Sequence, residues 1–169
     1  MKKSRLRIIV WLFLPGLFLL ISCGTDNSSQ LKIGDPAPPF TARDLDGEPV
    51  ALAAYRGQPV IIRFFLTDCP YCRADTPVFN EYFQKYRDRG LKIVYISNKG
   101  ASESAVRAFA EELNILFPVI LDADNKIGTS YHIKILPQTI ILAPDHHILA
   151  AMLGGVSQEE LQDILGPFL

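Results

Sequence analysis

Residues 60–77, VIIRFFLTDCPYCRADTP, decide how this chain folds. The first seven form a nearly continuous apolar run, which predicts a β-strand covered on both faces. Two of the chain's three cysteines follow within one turn of each other, at Cys69 and Cys72. Beyond them, apolar side chains recur at the spacing of an amphipathic helix that ends near Gly90. The stretch therefore predicts a buried strand that turns into a helix, with a cysteine pair at the turn.

Strand and helix patterns alternate along the rest of the domain. The turn signal DLDG at residues 44–47 predicts an opening hairpin. Further strands are predicted at residues 91–97, 117–121, 139–142 and 148–153, and helices at 102–113, 125–132 and 157–165. Strands joined by helices require a parallel core, whereas hairpins at both ends add antiparallel edges. We therefore predict an α/β fold with a central mixed β-sheet flanked by helices and an extra N-terminal β-hairpin.

The N-terminus has the composition of a secretion signal. The basic residues of MKKSRLR precede an apolar run at residues 8–21. This run is shorter than a membrane span of about 20 residues. It ends in LISC, which resembles a bacterial lipobox, where the cysteine is lipidated after cleavage. The alternative is an uncleaved anchor with a buried thiol. The resemblance implies a signal peptide at 1–22, a lipidated cysteine and flexible tether at 23–32, and a domain at 33–169.

Lipidation of Cys23 would leave Cys69 and Cys72 as a single pair in an exported domain. The lipid would hold the domain at the outer face of a bacterial membrane or in the periplasm. The net charge of −1, with no basic cluster after Arg7, argues against nucleic acid as a partner. We expect a monomer with no cofactor and no metal.

The placement of the cysteine pair favours disulfide exchange. Cys69 is expected at the helix N-terminus, where unpaired amides favour the thiolate, which is the attacking species. Pro70 suits the first turn, because its missing N–H needs no partner there. Cys72 is expected to be less exposed and to resolve a mixed disulfide by attacking Cys69. A structural disulfide would close too short a loop to stabilise much, and a zinc site would need about four ligands.

A strand, a CxxC motif at a helix start and a later proline in LPQT, residues 136–139, together resemble the thioredoxin superfamily. The resemblance implies that Pro137 is cis and packs beside the disulfide. It also implies that Leu136 offers backbone hydrogen bonds to the substrate. From the residues alone, Pro137 is a strand-start proline, a position that tolerates a residue without a donor.

More narrowly, the domain resembles membrane-tethered thiol-disulfide oxidoreductases of the TlpA/ResA branch. The likeness lies in GDPAPPF at residues 34–40, in DLDGEPVALAAYRGQPVIIRFF at 44–65, and in the CxxCRADTP run. It implies a reductase that exchanges disulfides or dithiols with protein substrates outside the cytoplasm, apocytochrome c among them. It also implies a membrane protein of the thiol-transfer type as electron donor.

The residues beside the cysteines depart from that branch. Asp68 stands where its members usually carry Trp, and its carboxylate would either disfavour the Cys69 thiolate or cap the helix. The dipeptide Pro70-Tyr71, which we expect to contact substrate, is typical of glutaredoxins, and Gly154-Gly155 resembles their glutathione-binding region. Glutaredoxins lie at about −200 to −230 mV and thioredoxin at about −270 mV, so a less reducing potential than that of thioredoxin is expected.

Arg63 is a further departure, because thioredoxins often carry a buried acid at this strand position and the TlpA branch often carries Asn. By strand alternation it faces the same side as Ile61 and Phe65. Because a buried guanidinium cannot be left unpaired, its charge either reaches the strand end or meets a carboxylate. Asp75 is the candidate partner, since the ResA branch places an acid there that tunes the thiols. We predict that Asp75, alone or with Arg63, handles the proton of Cys72. The alternative is a solvated helix acid.

Two other functions use similar sequences. GDPAPPF also resembles peroxiredoxins, which have a PxxxTxxC pattern, but Thr67 lies only two residues before Cys69. A copper metallochaperone of the Sco kind uses two thiols and one histidine, with three residues between its cysteines instead of the two found here. His132, His146 and His147 could supply that histidine.

Overall fold

The computed structural model describes residues 31–97 and 100–169. The predicted signal peptide, Cys23 and residues 24–30 of the tether lie outside these ranges, so lipid anchoring stays a prediction. Within the described ranges, no helix combines the length and the apolar character needed to cross a bilayer.

A five-stranded mixed sheet forms the centre of the domain. Its strands are β3 (Val60–Phe65), β4 (Lys92–Ser97), β5 (Val119–Ile120), β6 (Gln138–Leu142) and β7 (Ile148–Leu153). Their order is β5-β4-β3-β6-β7. The β3–β4 and β4–β5 pairs are parallel, and the β3–β6 and β6–β7 pairs are antiparallel. The predicted hairpin is formed by β1 (Thr41–Arg43) and β2 (Pro49–Ala51) as a separate two-stranded sheet.

Four α-helices accompany the sheet: α1 (Pro70–Tyr86), α2 (Glu103–Glu112), α3 (Lys126–Ser130) and α4 (Gln158–Leu165). The helix α1 continues past Pro77 to Tyr86, and a 3-10 turn follows it up to Gly90, whose φ is 96°. Ser157 and Glu160 form the predicted capping box of α4. The mixed sheet, its helices and the opening hairpin are therefore as predicted.

The strand predicted at residues 117–121 is shorter than expected. Only Val119–Ile120 pair with β4. Pro118 accepts a hydrogen bond from the Tyr95 amide at 2.9 Å but has no N–H to donate, so the ladder cannot extend through it.

The central strand β3 separates two apolar cores, and all six of its residues are buried. Ile61 and Phe65 belong to the core that includes residues of α1, α2 and α4. Ile62 and Phe64 belong to the core on the other side, with residues of α3 and the hairpin. Arg63 lies on the Ile61 and Phe65 side, so a charged residue enters the first core directly below the cysteine pair.

Phe65 offers a test of that first core. It is fully buried between the rings of Tyr95 and Phe109, at centroid distances of 5.4 Å and 4.8 Å. Because truncation leaves a cavity, we expect Phe65→Ala to lower the free energy of unfolding by about 3–5 kcal/mol in urea unfolding. The matched control is Phe168→Ala, because Phe168 is 39% exposed; its loss should stay below about 1 kcal/mol. Equal losses would contradict the placement of Phe65 in the core.

Candidate active site

The two cysteines lie at the junction of β3 and α1 in unequal environments. Cys69 is the N-cap of α1, and its sulfur accepts a hydrogen bond from the backbone N–H of Cys72 at 3.4 Å. Cys69 is 8% exposed and Cys72 is 1% exposed. Pro70 is the first helical residue, and the ring of Tyr71 is 68% exposed between the two cysteines. Both cysteines are therefore buried, but Cys69 keeps a small exposed surface that Cys72 lacks, so Cys69 is the better placed of the two to meet another molecule.

The expectation that Asp68 caps the helix is wrong. The helix begins one residue later, so the cap position falls on Cys69, and a sulfur takes the place of the carboxylate. Asp68 is exposed at the residue before the cap. Its charge stays available to the surroundings of Cys69 instead of being used by the helix amides.

Pro137 directly precedes β6, the strand that pairs with β3 before the cysteines. The Leu136–Pro137 peptide bond is cis, as the resemblance implied. Pro137 is buried and Leu136 is half-buried, while the preceding Ile135 is 62% exposed. The carbonyl of Pro137 accepts a hydrogen bond from the N–H of Gly154 at 2.9 Å. The residue that follows β7 therefore bonds directly to the cis proline.

Arg63 and Asp75 form a buried ion pair beneath the cysteines. Arg63 Nη2 donates to Asp75 Oδ2, and the two residues are 0% and 6% exposed. Arg63 Nη1 also donates to Thr139 Oγ1 at 2.7 Å and to the Gly154 carbonyl at 2.9 Å. Asp75 Oδ2 accepts a further bond from the Val156 amide at 3.3 Å. Arg63 thus meets a carboxylate, and the alternative of Asp75 as a solvated acid is wrong.

Burial sets the protonation of this cluster. It raises the pKa of the Cys72 thiol to about 12, although a Leu66 backbone hydrogen bond and the Arg63 charge both favour the thiolate. It also raises the pKa of Asp75 to about 6, against the opposing effect of Arg63. At neutral pH, Asp75 is therefore mostly ionised and Cys72 is a neutral thiol. Cys72 must lose a proton before it can attack, and Asp75 lies three residues further along the same helix face.

Relatives agree with this chemistry. Residues 33–151 match the family described as AhpC/TSA. The thiol-disulfide oxidoreductase ResA of Bacillus cereus is 31% identical over 169 residues, which cover 98% of this chain and 97% of that protein. This chain belongs to the AhpC/TSA family and is a thiol-disulfide oxidoreductase of the ResA type.

Solved structures confirm the predicted thioredoxin-like fold of this ResA-type chain. The thioredoxin domain of a thiol-disulfide oxidoreductase from Bacteroides vulgatus matches with a TM-score of 0.72 and 28% identity, over 82% of this chain and 98% of that domain. A secreted Mycobacterium tuberculosis disulfide oxidoreductase, homologous to DsbE of E. coli, matches with a TM-score of 0.68 and 25% identity. That match covers 76% of this chain and 95% of that protein.

Sequence reasoning missed several partners of the ion pair in this ResA-type site. Thr139 is fully buried and pairs with Arg63 across the β3–β6 ladder, a register that the sequence does not reveal. The Gly154-Gly155 pair suggested glutathione binding, but Gly154 accepts from Arg63 and Gly155 lies beside Asp75. The glycine pair after the last strand was visible in the sequence, but its contacts with Arg63 and Asp75 were not.

Two of the three histidines of this ResA-type domain lie away from the cysteines. His146 and His147 occupy the turn between β6 and β7. Pro137 lies at the start of β6 and this turn follows the end of β6, so the turn and Pro137 are at opposite ends of the strand. Across residues 31–97 and 100–169, no group of three or more His, Cys, Asp or Glu side chains is placed to hold a metal ion.

The unequal environments predict selective labelling of the ResA-type thiols. We expect limiting iodoacetamide at pH 7.5 to alkylate Cys69 at least about tenfold faster than Cys72, because the buried thiol is seldom ionised. Peptide mass spectrometry after brief exposure measures the ratio. In urea the ratio should approach one. Equal labelling of both thiols in the folded protein would contradict the assignment of Cys69 as the attacking residue.

Proposed function

We propose that this protein reduces disulfide bonds of protein substrates outside the cytoplasm, tethered to a bacterial membrane through lipid on Cys23. The observation that carries the proposal is the asymmetry of the cysteine pair: Cys69 caps α1 and keeps 8% of its surface exposed, whereas Cys72, one turn later, is 1% exposed. This asymmetry suits a protein that receives a large partner at one sulfur and releases it with the other. The secreted relative in Mycobacterium tuberculosis supports a location outside the cytoplasm.

The exchange has two steps. The Cys69 thiolate attacks one sulfur of the substrate disulfide, so a mixed disulfide forms and a substrate thiolate leaves. The Cys72 thiolate then attacks Cys69 Sγ, which breaks the mixed disulfide and releases the second substrate thiolate. Two electrons have passed to the substrate, and the protein holds a Cys69–Cys72 disulfide. A membrane dithiol protein of the thiol-transfer type returns it to the dithiol form.

In this proposal the substrate chain binds beside Cys69. The backbone of Leu136, before the cis proline Pro137, would pair with the substrate chain on one side. Tyr71, 68% exposed, and the neighbouring Pro70 would contact it on the other. An apolar segment next to the substrate disulfide suits these side chains. Apocytochrome c, whose haem-binding cysteines must be reduced before haem attachment, is the candidate substrate.

Asp75 is the proton acceptor for Cys72 in this proposal. Its carboxylate is ionised at neutral pH, is buried with Cys72, and lies on the same face of α1. Proton transfer to Asp75 would create the resolving thiolate at the moment when it is needed. Asp68 then acts only as an exposed charge near Cys69.

The reduction potential tests the direction of electron flow. We expect the Cys69–Cys72 pair to have a potential between about −200 and −270 mV, in the range of glutaredoxins and thioredoxin, and the dithiol form to reduce insulin. Equilibration with glutathione or dithiothreitol buffers measures the potential. A value near about −120 mV would instead indicate a disulfide donor. Consumption of hydrogen peroxide or tight copper binding by the reduced protein would favour the peroxidase or the metallochaperone.

A trapping experiment tests the roles of the two sulfurs. Cys72→Ser removes the resolving thiol, so Cys69 should accumulate stable mixed disulfides with substrate proteins, which non-reducing electrophoresis and mass spectrometry detect. The matched control Cys69→Ser should form few, because its remaining thiol is buried. Equal trapping by both variants would contradict the assignment.

The pH dependence of the second step tests Asp75. With Cys69 held as a mixed disulfide with thionitrobenzoate, attack by Cys72 releases the coloured thiolate in a single turnover. We expect the release rate to be level above about pH 6 and to fall about tenfold per pH unit below it, because a protonated carboxyl cannot accept the proton. Asp75→Asn should lose the break near pH 6, since Cys72 must then ionise directly and the rate keeps rising with pH from 5 to 9, whereas Glu81→Gln, an exposed acid on the same helix, should keep the break. A break near pH 6 that persists in Asp75→Asn would remove the role of Asp75.

A further inference from the structure

Arg63 is fully buried, yet the exchange steps above do not use it. It is among the largest fully buried side chains of the described chain. Across the sheet it lies between Tyr95 on β4 and Thr139 on β6. Its guanidinium carbon is 5.4 Å from the centre of the Phe79 ring on α1. A cation therefore occupies the core directly below the cysteine-bearing helix.

The charges around this cation are few. Among the described residues, Asp75 is its ionised partner, and the other titratable groups nearby are Cys72 on α1, Cys69 at the N-cap of α1 beside Cys72, and Tyr95 on β4. Burial raises the pKa of Tyr95, so its hydroxyl stays neutral at physiological pH and contacts Thr76 Oγ1 at 3.3 Å. The buried cluster thus contains one cation and one anion in its resting state. A second anion, such as the Cys72 thiolate, would be left without a counter-charge.

Hydrogen-bonding capacity is unused on both members of the pair. Arg63 Nε and Asp75 Oδ1 are buried, and neither has a hydrogen-bond partner in the described part of the chain. An unpartnered donor on the cation and an unpartnered acceptor on the carboxylate are costly in a core. The unpartnered oxygen of Asp75 is available to accept a proton. The unpartnered N–H of Arg63 is available to donate to a different anion once Asp75 is neutral.

We propose that Arg63 is a positioning residue whose single buried charge is shared in turn by the Asp75 carboxylate and the Cys72 thiolate. In this step the S–H bond of Cys72 breaks and an O–H bond forms at Asp75 Oδ1. No electrons are transferred between residues, and the cluster keeps one cation and one anion throughout. The thiolate then attacks Cys69 Sγ as described above. The inference rests on the proposed role of Cys72 as the resolving thiol.

The energetic reason is the cost of an unpaired charge in a low-dielectric site. A buried anion without a partner is costly, and an adjacent cation offsets that cost. Moving the negative charge from Asp75 to Cys72 next to a fixed guanidinium avoids any intermediate with two anions. Arg63 is held for this by the bonds from Nη1 to Thr139 and Gly154, whereas Asp75 is bonded by Nη2. It therefore keeps its place when its partner changes.

Alkylation of Cys72 in a Cys69→Ser background tests the inference. We compare Asp75→Asn with Arg63→Met/Asp75→Asn, which differ only in the cation. We expect Cys72 to react with iodoacetamide at least about tenfold more slowly in the variant without Arg63, at each pH from 7 to 9, because one pKa unit changes the thiolate fraction tenfold. Arg63→Lys/Asp75→Asn should restore most of the rate. Equal rates with and without Arg63 would overturn the proposal.

The design covers a failure of folding. Asp75→Asn leaves Arg63 without its anion, so it can unfold, whereas Arg63→Met/Asp75→Asn buries no charge; urea unfolding checks each variant. If Asp75→Asn does not fold, Arg63→Lys/Asp75→Asn takes its place beside Arg63→Met/Asp75→Asn, and we again expect alkylation at least about tenfold slower in the variant without the cation. Equal rates in these two variants would then overturn the proposal. A merely structural role of Arg63 would change the unfolding midpoint and leave the pH profile of Cys72 unmoved.

The test is independent of the proposed reductase role. Alkylation needs no substrate protein and no electron donor, so it reports on the Arg63 charge alone. Loss of insulin reduction with an intact alkylation pattern would contradict the reductase and leave the inference standing. The reverse result would contradict the inference and leave the reductase standing.

Discussion

A buried ion pair joins the central strand to the cysteine-bearing helix, and the geometry around the two sulfurs depends on it. Arg63 projects from the middle of β3 and meets Asp75 one turn after Cys72. The same guanidinium bonds Thr139 on the neighbouring strand and the carbonyl of Gly154. Gly154 in turn donates to the carbonyl of Pro137. One side chain therefore connects the helix that follows Cys69 to the segment that carries the cis proline.

Stability alone does not explain this arrangement. Desolvation of two charges is expensive, and apolar residues of similar volume often stabilise a core as well or better. Here the pair also leaves one nitrogen and one oxygen unpartnered within the described residues. A site that must create an anion at Cys72 gains from a fixed cation and a carboxylate able to take a proton. The chemistry of the inner sulfur gives a reason for the buried charges that packing does not.

Local patterns made much of the fold predictable. The all-apolar run of β3, the helical spacing after Cys72 and the capping box at Ser157 each depend on residues close in sequence, and each element is present. Boundaries were less predictable, since they depend on backbone details. The strand at Val119–Ile120 is short because of Pro118, and the helix cap fell on Cys69 instead of Asp68 because the chain turns one residue later.

The site divides in the same way. The cysteines, the cis proline and the candidate acid at Asp75 could be named from the motif and its resemblance, because their spacing along the chain carries the information. The sequence by itself also placed Arg63 on the strand face shared with Ile61 and Phe65, through strand alternation, and left open whether its charge reaches the strand end or meets a carboxylate. Only the tertiary structure decided which groups surround that charge. Thr139 and Gly154 bond Arg63 from 76 and 91 residues away, and Val156 bonds Asp75 from 81 residues away. Contacts at such separations are set by how the strands align, and no local pattern encodes that alignment.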